Sequence, residues 1–186
     1  MSNFWVQQER WAVRDTECIT FGDLVKPFGR KYKGMWRVFG ISENGEIMLV
    51  SDDCIGAVRL IGSEGYRTGT EKLDQLCIDT VKSSKAASVR SMNSFDLTRL
   101  DKYRKELLEK LLYEKDCWLA ADYVMSGALY YEAGLEAICN GTRTKIPLEE
   151  FYRSKMISNR IFGVRAIVTL RKNVEFHKIK RGYWKI

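Results

Sequence analysis

The chain contains a single imidazole, His177, so any histidine-based catalysis would have to use this residue. Serine and cysteine hydrolases need a histidine base within hydrogen-bond reach of the nucleophile. His177 lies instead between Phe176 and Lys178, in a basic stretch with the pattern of a strand. The sequence therefore predicts a surface histidine rather than a catalytic base.

The cysteines are odd in number, widely spaced and without a Cys-x-x-Cys pair; they are Cys18, Cys54, Cys77, Cys117 and Cys139. Zinc sites bring cysteines and histidines together at short, characteristic spacings. Here the one histidine is distant in sequence from every cysteine. We interpret the cysteines as reduced thiols of a protein that folds in the cytosol, with a disulfide framework or a zinc site as the alternative. We expect no metal site and no cofactor.

Two acidic pairs and one glycine-bearing segment are the remaining candidates for metal or phosphate chemistry. Asp52-Asp53 follows a predicted strand and could in principle ligate a metal, and Glu149-Glu150 is similar. Adjacent carboxylates at a strand end are more often a solvated turn. The segment Gly62-Ser63-Glu64-Gly65 lacks the lysine and the strand–loop–helix context of a phosphate-binding loop. Because no catalytic motif is present, we expect a protein that is not an enzyme.

The net charge of +7 is concentrated in the C-terminal quarter. Residues 143–186 contain 12 Lys and Arg against 3 Asp and Glu, a net +9, whereas the rest of the chain contains 19 against 21, a net −2. Phe176, Tyr183 and Trp184 are interleaved with these cations, a pattern that suits stacking on bases beside phosphates. The quarter is either a solvated face or a surface that meets a polyanion, nucleic acid included, or an acidic partner.

The overall composition predicts one soluble domain. A length of 186 residues suits one domain, and a hydrophobic fraction of 45% suits a globular core. The first ten residues lack the basic patch and apolar run of a secretory signal peptide. No apolar stretch approaches the roughly 20 residues that a membrane helix requires. We therefore expect a protein that neither spans a membrane nor is secreted by a signal peptide.

Alternating apolar residues predict several strands. Residues 35–51 alternate on both sides of Asn44-Gly45, which predicts a hairpin because both turn residues tolerate positive φ. Residues 129–140 alternate as one strand that leads to a second turn signal, Asn140-Gly141. Residues 163–170 are nearly all apolar, so they predict a strand that is covered on both faces.

Capping signals and helical periodicity predict two helices. Thr68 and Glu71 have capping-box spacing, and the apolar residues that follow predict a short helix over 70–82. Asn93-Ser94 can cap a longer helix over 94–115, whose leucines form one apolar stripe. This stripe is typical of core packing, with an interface to a partner helix as the alternative.

The order of strands, helices and strands predicts a single α+β domain over 1–186, with a mixed or antiparallel sheet and two helices. A last strand over 174–180 would close the sheet. Residues 1–20 form an N-terminal extension in this scheme.

A series of short sequence motifs occurs in this chain in the same order as in a known protein family, which the chain therefore resembles. The blocks are Trp36-Arg37-Val38, Gly45 to Ser51, Gly65-Tyr66, Leu73 to Cys77, Arg90-Ser91 with Asp96, Cys117 to Ala121, Gly163 to Leu170 and Trp184-Lys185-Ile186. In this order they resemble a family of uncharacterised proteins from Gram-positive bacteria and their prophages. The resemblance covers most of the chain from Phe21 onward.

The chain departs from the family pattern at three positions. Cys117-Trp118 stands where the family has Tyr-Trp, Ala120-Ala121 where it has Ala-Ser, and Ala166 where it has Pro. Relatives often carry a long polar insertion where this chain has its compact charged helix. A ligand surface on that insertion would therefore be missing here.

The second half of the chain also resembles the C-type-lectin-like domains of bacteria and phages. In that fold Trp118 and Val164-Arg165 would be scaffold, and a variable-loop region over 125–159 would lie between them. The resemblance implies contact residues there, since binding surfaces favour aromatics and arginine. These residues are Tyr123, Tyr130, Tyr131, Arg143 and Lys145. Packing within strands is the alternative role for the tyrosines.

The resemblance and the missing catalytic groups predict a non-enzymatic phage or prophage protein, a virion- or tail-associated structural or adaptor module on a C-type-lectin-like fold. Its partners would be other phage structural proteins or further copies of itself, and a host surface glycan or protein is a second kind of ligand. The expected location is the virion or the cytoplasm of the bacterial host. The alternative is an intracellular nucleic-acid-binding or regulatory protein of a mobile element.

An enzyme of the formylglycine-generating type shares the lectin-like fold but would need paired reactive cysteines.

Overall fold

Residues 11–12, 18–98, 114–121, 124–126, 131–147 and 161–186 are described by a computed structural model. Within these ranges the chain has an α+β fold that consists mostly of strands, with two large mixed sheets and three helices. The predicted α+β class is confirmed, although the strands divide between two large sheets and a third helix is present. No helix in the described ranges is long and apolar enough to cross a membrane.

The strands form two large sheets and two small pairs. The larger sheet contains, in spatial order, β15 (His177–Lys180), β16 (Tyr183–Lys185), β3 (Leu24–Val25), β4 (Trp36–Ile41), β5 (Ile47–Ser51), β14 (Ala166–Leu170) and β7 (Ala86–Ser91). The smaller sheet contains β12 (Thr142–Lys145), β11 (Glu136–Cys139), β8 (Cys117–Leu119), β13 (Phe162–Val164) and β6 (Gly56–Val58). The small pairs are β1 (Trp11–Ala12) with β2 (Cys18–Ile19), and β9 (Val124–Ser126) with β10 (Tyr131–Ala133). In the larger sheet β16 runs parallel to β3, and in the smaller sheet β13 runs parallel to β8.

Both predicted turns join antiparallel strands. The hairpin over 35–51 is confirmed as β4 and β5, but its loop, residues 42–46, has five residues, and Gly45 has a φ of 78°. The Gly45 N–H donates to the Ser42 carbonyl at 3.0 Å, as in a turn closed by a left-handed glycine. In the second turn both Asn140 and Gly141 have positive φ, 51° and 72°, so β11 and β12 are joined by the two-residue turn that the sequence predicts.

Two segments that were predicted as single strands are each divided between sheets. The segment 163–170 forms β13 and β14, which belong to different sheets and meet at Arg165. The segment 129–140 likewise forms β10 and β11. An apolar pattern indicates that a segment is buried, but it does not say which sheet the segment joins. The predicted strand over 174–180 begins only at His177, and it pairs with β16, which the sequence analysis missed.

The helix predicted over 70–82 is confirmed as α2 (Gly69–Val81), but its predicted capping box is wrong. The Thr68 hydroxyl donates backwards to the Glu64 carbonyl at 2.8 Å and makes no side-chain cap to α2. Its acceptor belongs to a further helix, α1 (Gly62–Arg67), which immediately precedes Thr68. The glycines in this helix weaken its helical pattern, which explains why the sequence did not predict it.

The predicted cap of the second helix is confirmed. The Asn93 side-chain oxygen accepts from the Asp96 N–H, and an Asp96 carboxylate oxygen accepts from the Asn93 N–H, both at 2.9 Å. These reciprocal bonds start α3 (Ser94–Thr98). Residues 99–113 of the predicted helix lie outside the described residues, and its predicted end at 114–115 is a turn and a bend.

Buried residues cover the central strands of the larger sheet on both faces. On one face α2 contributes Leu73, Cys77 and Val81 to the main core cluster. That cluster also contains, from the sheets, Trp36, Val38, Leu49, Val168, Trp118 and Phe162. On the other face a second cluster contains Phe39, Val50, Ile167, Leu97, Cys117, Leu119 and Ile138. The smaller sheet contributes to both clusters, with Trp118 and Phe162 in the main cluster and Cys117, Leu119 and Ile138 in the second.

A buried arginine lies where the chain passes from the smaller to the larger sheet. Arg165 is 1% exposed, and its Nη1 donates to the Ser51 carbonyl at 3.0 Å and to the Asp52 carbonyl at 2.8 Å. Its own carbonyl accepts from the Met92 N–H at 2.9 Å. The neighbouring Ala166 N–H donates to the Ser51 hydroxyl at 3.1 Å. These bonds connect the end of β5, the start of β14 and the segment after β7.

Replacing this arginine by a side chain of similar length tests its structural role. Arg165→Met should lower the free energy of unfolding by about 3 kcal/mol, because two carbonyls lose a charged donor. Denaturation by urea, followed by tryptophan fluorescence, measures the change. Arg171→Met, at an exposed arginine beyond β14, is the control and should change stability by less than about 0.5 kcal/mol. Equal stabilities of the two variants would contradict the role assigned to Arg165.

Candidate functional site

Three strands at one edge of the larger sheet build the candidate site. β15 and β16 form a hairpin around Arg181-Gly182, where Gly182 has the left-handed φ of 68° that closes so short a turn. β16 then lies parallel to β3, with Tyr183 opposite Leu24 and Trp184 opposite Val25. Two backbone bonds of 2.9 Å, from Leu24 to Gly182 and from Lys26 to Trp184, hold this pair together.

The pleat of these strands separates an apolar face from a basic face. Trp184 and Val25 belong to the main core cluster and are 3% and 0% exposed. Successive side chains of a strand point to opposite faces, so Tyr183 and Lys185 lie on the outer face. Residues that pair across strands share a face, so His177, opposite Lys185, lies there as well. The same register continues to Lys26, which follows β3 and is exposed.

A tyrosine lies at the centre of this outer face. Tyr183 is half-buried, and its hydroxyl lies 3.7 Å from the Met35 sulfur, a weak acceptor. Lys180 pairs with Tyr183 across the hairpin, and its Nζ lies over the ring at 5.6 Å from the centroid. These two contacts favour a position of the ring against the sheet surface. We call Lys26, His177, Lys180, Tyr183 and Lys185 the basic face.

The carboxylates nearest to the basic face are already bound to other groups. Asp23 accepts from the Trp184 indole N–H at 2.8 Å and from the backbone and hydroxyl of Thr20 at 3.0 and 3.1 Å. Asp52 accepts from the Arg37 guanidinium at 2.7 and 2.9 Å. Residues 171–186 contain six Lys and Arg against the single acid Glu175. The Arg37 guanidinium offsets the charge of Asp52, whereas the donors to Asp23 are neutral and leave its charge in place. This surface is therefore positive because its Lys and Arg outnumber the nearby acids.

The structure divides the basic C-terminal quarter into parts with different roles. Arg165 is buried, whereas the lysines of β15 and β16 are exposed. Phe176 and Trp184 were candidates for stacking under the nucleic-acid alternative, but they are only 8% and 3% exposed and pack into the main core, so that alternative does not hold for these two. Tyr183 alone of the three borders the surface. His177 is exposed, as the sequence predicts.

Sequence reasoning missed Lys26, because it treated the positive charge as a property of the C-terminal quarter alone. Lys26, Arg30, Lys31 and Lys33 form a run of cations without an acid, and this run was the available signal. Its proximity to β16 depends on a parallel pairing between strands far apart in sequence. A single sequence carries no local sign of such a pairing.

The contact residues implied by the lectin resemblance are only partly described. Tyr123 and Tyr130 lie outside the described residues, and for Tyr131 only the backbone, in β10, is described. Arg143 and Lys145 lie together on β12, in the smaller sheet. The Arg143 guanidinium binds the Glu136 carboxylate in a close contact through Nε and at 3.2 Å through Nη2. Glu136 also pairs in register with Lys145. The variable-loop region over 125–159 is described only at 125–126 and 131–147.

Burial keeps two of the four described thiols protonated. Cys54, Cys77, Cys117 and Cys139 are all free. Burial raises the pKa of the Cys117 thiol to about 12, and burial with the nearby Asp74 carboxylate raises the pKa of the Cys77 thiol even further. A thiol must lose its proton to react as a nucleophile. At neutral pH these two side chains therefore act as small apolar groups of the core.

The acidic pair Asp52-Asp53 is divided between two cations. Asp52 binds Arg37, whereas both oxygens of Asp53 lie 2.7 Å from the Lys115 amine. The Lys115 hydrogen bonds keep the pKa of the Asp53 carboxyl below its ordinary value. Glu149-Glu150 lies outside the described residues. Nowhere in the described part of the chain do three or more His, Cys, Asp or Glu side chains form a group that could hold a metal ion.

Comparison of the chain with protein-family models, with curated proteins and with solved structures finds no match.

A substitution at Asp23 tests the packing that holds β16 against β3. Asp23→Ala should lower the free energy of unfolding by about 2 kcal/mol, because the Trp184 indole and Thr20 lose their common acceptor. Asp23→Asn keeps one oxygen acceptor and should lose less. Urea denaturation of both variants measures these changes. A fully stable Asp23→Ala variant would show that the Trp184 bond does not anchor the strand.

Proposed function

We propose that this protein is a non-enzymatic interaction module that binds a polyanion through the basic face. The observation that carries the proposal is the pair of exposed cations Lys185 and Lys26, which the register of the sheet edge places near each other, with Lys180, Tyr183 and the exposed imidazole of His177 beside them. Like charges are brought together here by the register of the sheet. Their mutual repulsion costs free energy, and a bound polyanion relieves it.

The spacing of these cations suits an extended ligand. Adjacent strands lie about 4.8 Å apart, and alternate residues of one strand lie about 6.6 Å apart, so the cations form a grid on the scale of successive charges along a polyanion. Each cation that neutralises a phosphate releases a counterion, which favours binding at low salt. The lysine stems remain flexible enough to follow ligands of different shape.

The proposal that the protein is not an enzyme rests on the surroundings of its histidine, its buried cysteines and its paired aspartates. His177 is exposed at the sheet edge, and it lies among lysines rather than beside a nucleophile. The buried thiols of Cys77 and Cys117 hold their protons strongly. The carboxylates of Asp52 and Asp53 each bind a cation of the chain itself. These arrangements favour recognition over catalysis.

A virion- or tail-associated adaptor on a C-type-lectin-like fold is the second candidate, and it rests on the sequence resemblance. One structural observation favours it: β12 is an edge strand, paired only with β11 among the described strands, and its Thr142, Thr144 and Lys145 are exposed. An open edge strand can pair with a strand of another chain. This candidate and polyanion binding are compatible, since one protein can use two surfaces.

Neutralising the lysines of the basic face tests polyanion binding. The affinity for a single-stranded oligonucleotide falls as salt rises, and Lys26→Gln, Lys180→Gln and Lys185→Gln should each make this fall less steep. The slope of log affinity against log salt should become less negative by about 0.7 in each variant, because each removes one phosphate contact. In the triple variant the slope should become less negative by about 2. Fluorescence anisotropy with a labelled oligodeoxythymidylate over a series of NaCl concentrations measures the slope.

The control is Lys72→Gln, which removes an exposed lysine of α2 that pairs with Glu64 at 3.6 Å. It removes the same charge far from the basic face in the fold and should leave the slope unchanged. If the four single variants behave alike, the charge that matters is the net charge of the protein, and the proposed site is wrong.

The adaptor role is tested by peptide mass spectrometry of purified, nuclease-treated phage particles from the source strain. The chain should be recovered in stoichiometric amounts, because a structural module is present in every particle. Its absence from particles, together with its abundance in induced cells, would exclude the virion role. The polyanion proposal would remain, because it does not depend on the particle.

A further inference from the structure

Resting on the polyanion proposal, we infer that the ligand of the basic face is single-stranded nucleic acid, with one base stacked on the ring of Tyr183. The phosphates on either side of that base bind Lys26, Lys180 and Lys185. The inference comes from the juxtaposition of a fixed aromatic ring with cations on three strands. A ligand that carried only negative charge would make no use of the ring.

The position of Lys180 marks the ring face that is open to a base. Its Nζ lies over the ring at 5.6 Å from the centroid, Lys180 is exposed and Tyr183 is only half-buried, so a flexible lysine side chain lies over this ring face. A cation over an exposed ring contributes about twofold to fivefold to an equilibrium, whereas base stacking contributes about fivefold to 150-fold. A base should therefore displace the ammonium group, which then gains a phosphate beside it.

The ring is prepared for stacking before a ligand arrives. Tyr183 is half-buried, its hydroxyl contacts the Met35 sulfur at 3.7 Å, and its backbone is paired on both sides, with Lys180 and with Leu24. A side chain that is already ordered loses little rotational entropy when a ligand binds. The neighbouring lysines are long and exposed, so the adaptable part of the surface is the part that meets the phosphates.

The shape of the surface favours a single strand over a duplex. Bases in a duplex are stacked on one another, so the Tyr183 ring could not reach a base face. A two-stranded ribbon can enter the major groove of DNA. Here the β15–β16 hairpin is not a free ribbon, because β16 is paired with β3, which is paired with β4. An open sheet face with an aromatic ring is a known solution for unpaired bases.

The experiment compares ligands that differ in one feature at a time. The probes are oligodeoxythymidylate, an abasic phosphodiester of equal length, a DNA duplex, inorganic polyphosphate and polyglutamate, and affinity is measured by competition anisotropy. The thymidylate should bind about fivefold to 150-fold more tightly than the abasic chain. Tyr183→Leu should remove this advantage and leave abasic binding unchanged, whereas Tyr183→Phe should keep it because the ring remains.

Unfolding curves of both Tyr183 variants check that each is folded, and the comparison of thymidylate with the abasic chain on the unchanged protein still tests stacking if Tyr183→Leu proves unstable. Equal affinity for thymidylate and the abasic chain, with sensitivity to the lysine variants, would overturn the stacking inference and leave the polyanion proposal standing. Preference for the duplex or for polyglutamate would overturn it as well. Failure of every probe to bind would reject both proposals.

Discussion

The buried guanidinium of Arg165 is the interaction on which the two-sheet arrangement depends. A charge in the interior is tolerated only when good acceptors surround it. Its Nη1 acceptors, the carbonyls of Ser51 and Asp52, lie where β5 ends and the chain leaves the larger sheet for β6. Arg165 itself lies where the chain returns from β13 to β14. Hydrogen bonds from Arg165 thus join the segment that follows β5 to the segment between β13 and β14. These bonds determine how the two sheets meet.

One row of paired residues explains how the same sheet is both a core element and an exposed surface. The row crosses all seven strands on one face, through Lys180, Tyr183, Leu24, Arg37, Val50, Ile167 and Arg90. Val50 and Ile167 belong to the second core cluster, whose described members include none from β3, β15 or β16. On β15 and β16 the outer face instead carries the exposed Lys180 and Lys185 and the half-buried Tyr183. On the opposite face of the same strands Trp184 and Val25 remain in the main core.

Local signals in the sequence predicted local structure well. Asn140-Gly141, the helix over 70–82, the cap at Asn93 and the exposed His177 all depend on neighbours within a few residues. The division of 163–170 at Arg165 was not predicted, because the apolar run on both sides of the arginine reads as one strand. The basic face was predicted only as a charged segment, since the position of Lys26 beside Lys185 depends on a distant pairing. Phe176 and Trp184 were misplaced because an aromatic among lysines gives no sign of which face it occupies.

The pairing of β16 with β3 also governs the order in which the molecule can assemble. The bond from the Trp184 indole to Asp23 joins residues 161 positions apart in sequence. Closing so long a loop costs entropy that no local contact offsets, so pairings of this kind form late in folding. The hairpin of β4 and β5 closes over only a few residues and can form early. We therefore expect the ordered arrangement of Lys26 beside Lys180 and Lys185 to form late, after the β4–β5 hairpin.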